Sequence, residues 1–206
     1  MADSTDPESG RTLAYRWVRA TGLGWVLGVP LIVAFALLGE AVGVGGAQVL
    51  VGAGMGAGVG LLQARVIRTV THRAAPWFWS SAAGLSLPFL ATDMAKAAGW
   101  ASAYSPYASL AVGGIIVGAW QSLLLRPHVP NTRWWLVASA LGWTLAGGAA
   151  ALADSLSRVY SMRGIAGALV FLGPAAVGGL VLGLVTALPL ARMVRAESAG
   201  RTELTT

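Results

Sequence analysis

The stretch Gly114-Ile-Ile-Val-Gly118-Ala-Trp-Gln121-Ser-Leu-Leu-Leu-Arg126 reads as the lower half of a membrane-spanning helix. Residues at i, i+4 and i+7 share one helix face, so Gly114, Gly118 and Gln121 form a single stripe, and Arg126 marks where the apolar run meets water. Small residues let a second backbone approach closely, and a polar side chain among them can hydrogen-bond across the contact. A near copy lies upstream, Gly56, Gly60 and Gln63 followed by Arg68. A weaker one lies downstream, Gly179, Gly183 and Thr186 followed by Arg192.

Composition supports a lipid setting for this stripe. Hydrophobic residues make up 56% of the 206 and charged residues 11%, against roughly 25% charged in a soluble domain. Mean hydropathy is +0.68. A hydrocarbon layer about 30 Å thick takes about 20 apolar residues per helix, so the chain holds six spans with short connections and no sizeable soluble domain. With no cysteine, disulfides, thiolate metal sites and cysteine nucleophiles are excluded. The formal charge of +6 comes from arginines beside apolar runs, which points to anionic lipid headgroups as partner and not to nucleic acid.

Taken in order, residues 1–16 read as a disordered acidic tail and 193–206 as a second polar tail, with a six-helix transmembrane domain over 17–192. Its apolar runs cover about Thr21 to Gly39, Val42 to Ile67, Trp77 to Ala98, Pro106 to Leu125, Trp134 to Ala153 and Ile165 to Leu190. One side of this arrangement collects Arg11, Arg16, Arg19, Arg65, Arg68, Arg73, Arg126, Arg133, Arg192, Arg195 and Arg201. The other holds Lys96, Arg158 and Arg163. The excess of cationic residues on cytoplasmic loops predicts an inner-membrane protein with both termini in the cytoplasm. Trp17, Trp77, Trp79, Trp134 and Trp135 are expected at the inner boundary, where amphipathic rings prefer to lie.

Placing Trp17, Trp77 and Trp135 in register brings Gly24, Gly84 and Gly142 to the same offset, followed by Trp25, Leu85 and Trp143. Each following helix carries a Gly-x-x-x-Gly-x-x-Gln/Thr element. The fold class expected is therefore all-α, six transmembrane helices as three parallel-repeat hairpins (about 17–76, 77–133 and 134–192) in a pseudo-threefold bundle. The segment Trp135-Leu-Val-Ala-Ser-Ala-Leu-Gly142-Trp143, after Gly118-Ala-Trp-Gln121-Ser-Leu-Leu-Leu-Arg126-Pro-His, resembles a pattern found in uncharacterised bacterial multi-spanning proteins. The first hairpin departs from it by lacking Ala-Ser-Ala-Leu, and the third by having threonine for glutamine. That resemblance implies a bacterial inner-membrane protein and carries no activity with it.

Candidate chemistry is sparse. Gln63, Gln121 and Thr186 are either interhelical glue or the lining of a polar path. Glu40, Asp93 and Asp154, near the outer ends of their helices, are either solvated carboxylates or a cation-attracting vestibule; Asp93 also stands at i, i+3 from Lys96. Arg68, Arg73, Arg126, Arg133 and Arg192 are the expected headgroup contacts. His72 and His128 sit in loops with no second ligand at metal spacing. There is no His-Glu-x-x-His and no phosphate-binding Gly-x-x-x-x-Gly-Lys-Ser/Thr, and no histidine lies within a span to activate a serine. The expectation is a chain without catalytic activity, cofactor or metal. It serves as an accessory or structural subunit beside a membrane-protein partner or further copies of itself; the alternative is a small transporter or channel for an ion or small solute along the threefold axis.

Overall fold

The structure, a computed structural model, describes residues 7–100, 105–160 and 176–193. Those residues form six helices and, among them, no strand: α1 (Pro7–Ala41), α2 (Val49–Thr71), α3 (Ala75–Ala97), α4 (Pro106–Leu125), α5 (Arg133–Tyr160) and α6 (Ala176–Met193). Five of them, all but α3, are long and apolar enough to cross a membrane. Helix α3 is as long as α2, 23 residues, but Ser80, Ser81, Ser86, Asp93 and Lys96 dilute its apolar content. The first part of the sixth apolar run, 165–175, lies outside the described residues.

Helix α1 starts at Pro7, a position proline tolerates in a first helical turn, so the arginines Arg11, Arg16 and Arg19 ride on the helix that also carries the first apolar run. At about 1.5 Å per residue its 35 residues reach roughly 50 Å, well beyond a hydrocarbon layer of about 30 Å. The turn into α2 needs left-handed backbone at Gly43 and Gly46, with φ of 80° and 76°. Helix α3 ends in a Schellman arrangement: Gly99, at φ 76°, donates its N–H to the Lys96 carbonyl, and Trp100 donates to Ala95.

Every neighbouring pair is antiparallel. Gly24 and Gly28 of α1 meet Gly58 and Met55 of α2, and Gly52, Gly56 and Gly60 of α2 meet Leu85, Ser81 and Phe78 of α3. Gly84 and Leu85 face Val117 and Gly113 of α4; Gly114 and Gly118 face Trp143 and Ser139 of α5; Gly142 and Ala146 face Leu182 and Gly178 of α6. Helix α6 then returns to α1, with Gly179 against Trp25 and Gly183 against Val18 and Thr21. The six helices thus close on themselves, α1, α3 and α5 running one way and α2, α4 and α6 the other. The start of α1 and the end of α6 lie at the same end.

Alternate glycines make α2 a two-faced wedge. A Cβ on Gly54 or Gly58 would fall 2.5–2.6 Å from backbone nitrogen of Ile32 or Gly28 on α1, while one on Gly52 or Gly56 would fall 2.5–2.7 Å from carbonyl oxygens of Leu85 or Ser81 on α3. No side chain larger than hydrogen fits without separating backbones. Gly56, Gly60, Gly114, Gly118, Gly179 and Gly183 are all buried at such contacts.

Candidate functional site

The interior is built around three indoles. Trp17, Trp77 and Trp135, from α1, α3 and α5, are 0–1% exposed. Their ring centroids are 5.8, 5.5 and 5.5 Å apart, and every pair is edge-to-face. Full burial takes these three off the outward-facing rim of the bundle, because each points toward the other two. Trp79 and Trp134 are 61% and 59% exposed and do face outward. Eight residues along from each inward indole a second layer fills the middle, with Trp25 and Trp143 at a centroid distance of 5.6 Å and Leu85 buried in the same cluster.

An indole N–H buried in apolar surroundings needs an acceptor, and each finds one on the preceding helix or, for Trp17, on the closing helix α6. Trp77 donates from Nε1 to Gln63 Oε1 (3.3 Å), Trp135 to Gln121 Oε1 (3.1 Å) and Trp17 to Thr186 Oγ1 (2.9 Å). The amides then use their own donors: Gln63 Nε2 donates to Thr21 Oγ1 at 3.0 Å, and Gln121 Nε2 to Ser81 Oγ at 2.9 Å. Thr21, Ser81 and Ser139 each stand four residues after an inward tryptophan, on the same helix face. At the third position the shorter Thr186 does not bridge in this way; its hydroxyl donates to the Leu182 carbonyl (2.6 Å), and Ser139 donates to the Gly114 carbonyl (3.0 Å). Among the described residues no buried side-chain nitrogen or oxygen is left without a partner.

Glycine makes this reach possible. Gly60 sits against Ser81 Cβ and Gly118 against Ser139 Cβ, each with 2.7 Å between the partner and a built Cβ. The helices are thereby held close enough for a glutamine one turn below to span to its tryptophan. The tryptophan–amide pairing is nonlocal, joining residues 14 apart across a helix turn and, for Trp17 with Thr186, 169 apart. The signal that could have found it is the Ser or Thr four residues past each tryptophan.

The acids serve separate helix junctions. Asp93, on α3, accepts from the backbone N–H groups of Gln48 (Oδ1, 3.0 Å) and Val49 (Oδ2, 2.8 Å), so it caps the start of α2, whose own Gln48 makes no side-chain cap. A carboxylate there satisfies orphan donors and meets the positive end of the helix dipole. Asp154 accepts from the Tyr107 hydroxyl at 2.9 Å, joining α5 to the first turn of α4. Glu40 is exposed at the end of α1.

The arginines Arg11, Arg16, Arg19, Arg65, Arg68, Arg73, Arg126, Arg133 and Arg192 are all exposed, and chain direction puts all nine at one end of the bundle. Arg73 borders a cleft of about 120 Å³ together with His128, Thr71 and Trp77. His72 holds a left-handed turn at φ 55°, its N–H donating to the Arg68 carbonyl. Among the described residues no three His, Asp or Glu side chains group as a metal site would require. Compared with known protein families, curated proteins and solved structures, the chain matches none.

Proposed function

We propose that the chain is a non-catalytic integral membrane protein of three like-oriented helical hairpins, serving as a structural or accessory subunit. The observation that carries this reading is the plugged axis. Where a pseudo-threefold pore would run, three indoles lie in edge contact with centroids 5.5–5.8 Å apart, a spacing at which aromatic pairs touch. A solute has no room between them. The polar groups that could line a path, Gln63, Gln121 and Thr186, instead accept from those indoles, which is how interhelical glue behaves.

The recurrence of Trp, Ser/Thr and Gly on α1, α3 and α5 against Gly and Gln/Thr on α2, α4 and α6 supports the hairpin as the repeated unit. Gathering of exposed arginines at the end where α1 begins and α6 finishes supports a cytoplasmic location for that end in a bacterial inner membrane. Reconstitution into liposomes with a panel of monovalent and divalent ions, sugars and amino acids tests the reading. Fluxes should match protein-free vesicles. Saturable flux of any one solute, dependent on intact protein, overturns it.

A further inference from the structure

Two apolar grooves flank the arginine-rich end of α6. One, of about 470 Å³, runs between α5 and α6 past Trp134, Val137, Leu141 and Val185. The other, of about 450 Å³, runs between α6 and α1 past Ala14, Tyr15, Val18 and Leu184. Leu188 and Arg192 line both; Leu188, 63% exposed, is the ridge that separates them. At their mouths stand Arg192 and Arg11, with Asn131 beside the first. Among the described residues no acid belongs to either lining.

We propose that these grooves hold the two acyl chains of one anionic phospholipid seated astride α6, with its phosphate at Arg192 and Arg11. Volumes of this size fall among those of ligand-holding clefts, and their walls match hydrocarbon. In a bilayer, however, burying a chain against protein gains nothing over burying it among other chains, so charge decides the occupant. A guanidinium binds phosphate oxygens in a two-pronged geometry, and basic pockets between helices on the cytoplasmic side suit anionic headgroups. A second copy of the chain does not suit the site. In a twofold contact the same patch meets itself, which would set Arg192 and Arg11 against their own copies, and the described lining offers no acid to pair them.

This inference rests on the membrane reading above, and native mass spectrometry of the full chain separates the two. The chain is equilibrated in mixed micelles with equal amounts of phosphatidylglycerol and phosphatidylcholine, then released from detergent. One phosphatidylglycerol should remain per chain. Its preference should be about fivefold for each engaged arginine, the ratio equivalent to about 1 kcal/mol per basic residue. The pair Arg11→Ala and Arg192→Ala should bring the two lipids to parity, whereas Arg65→Ala, exposed on α2 and outside both linings, should keep the preference. Leu188→Trp, which fills both grooves from the ridge, should remove either lipid. Parity in the wild type, a preference untouched by the double substitution, or a dimer that excludes lipid overturns the inference while leaving the membrane reading intact. A chain that stays dispersed in water after detergent removal overturns both.

Discussion

Replacing Gln121 by leucine tests whether the tryptophan–amide contact holds the bundle together. The side chain is 2% exposed and makes two interhelical bonds, accepting from Trp135 Nε1 at 3.1 Å and donating to Ser81 Oγ at 2.9 Å. Leucine is close in size, so little cavity forms and the loss is polar. Each interhelical bond is worth about 0.6 kcal/mol on average in a membrane protein. The larger cost is the orphaned Trp135 N–H, buried at 1% exposure, for which about 1–3 kcal/mol is typical. Ser81 is spared, because its hydroxyl also donates to the Trp77 carbonyl at 3.1 Å. Gln121→Leu should therefore destabilise by about 2–4 kcal/mol, measured by circular dichroism during unfolding in mixed micelles with rising SDS. Trp135→Phe deletes the orphan donor, so the double variant should be more stable than the two single losses predict, by at least about 1 kcal/mol. Additivity within about 0.3–0.5 kcal/mol refutes the reasoning.

Three further outcomes are expected. Gly58→Val should cost about 3 kcal/mol or more, seen as lost helicity or aggregation on size exclusion, since its Cβ would lie 2.5 Å from Gly28 N and 2.6 Å from Gly24 O; Gly148→Ala, with nothing within 4 Å, should be neutral or stabilising by about 0.5–1 kcal/mol. Asp93→Ala should remove about 1 kcal/mol of helix capping and speed hydrogen exchange at the Gln48 and Val49 amides, leaving the start of α4 unchanged. If the hairpins are equivalent, Thr186→Gln should bridge Trp17 Nε1 to Ser139 Oγ and leave stability unchanged or raised by up to about 1 kcal/mol; a thermal-unfolding loss larger than that counts against the repeat.

How much of this was visible in the chain depends on the range of the interaction. The stripe Gly114, Gly118 and Gln121 is a local periodicity, and local periodicity is what a helix reads out. The same spacing marks Gly56 and Gly60, yet the glycine at every second residue from Gly52 to Gly60 carries more: positions two apart face opposite sides of a helix, so the run announces two partners. Tryptophan is where local reasoning fails. An indole near the end of an apolar run suits a membrane boundary equally well by composition, and only the meeting of α1, α3 and α5 decides that Trp17, Trp77 and Trp135 turn inward while Trp79 and Trp134 do not. Asp93 is similar. Its spacing from Lys96 suggests a partner on its own helix, but its oxygens are spent on the neighbouring helix, whose first N–H groups have no acceptor of their own.

The same contacts bear on whether the axis could open. Separating the indoles forfeits three edge-to-face pairs, about 0.5–1.5 kcal/mol each, and three N–H bonds of about 0.6 kcal/mol each. The whole is about 3–6 kcal/mol, so an open centre would be populated roughly once in a few hundred to a few tens of thousands of molecules. Opening also needs the helices to part, and α2 is held closely to α3 at Gly60 against Ser81, as α4 is to α5 at Gly118 against Ser139. A transporter would have to supply that energy from a bound solute with differential affinity for the open state, and the groups that could provide it, Gln63, Gln121 and Thr186, are already engaged in keeping the centre closed. The polar atoms that look like a pore in a helical projection are therefore the ones that hold the three indoles in place.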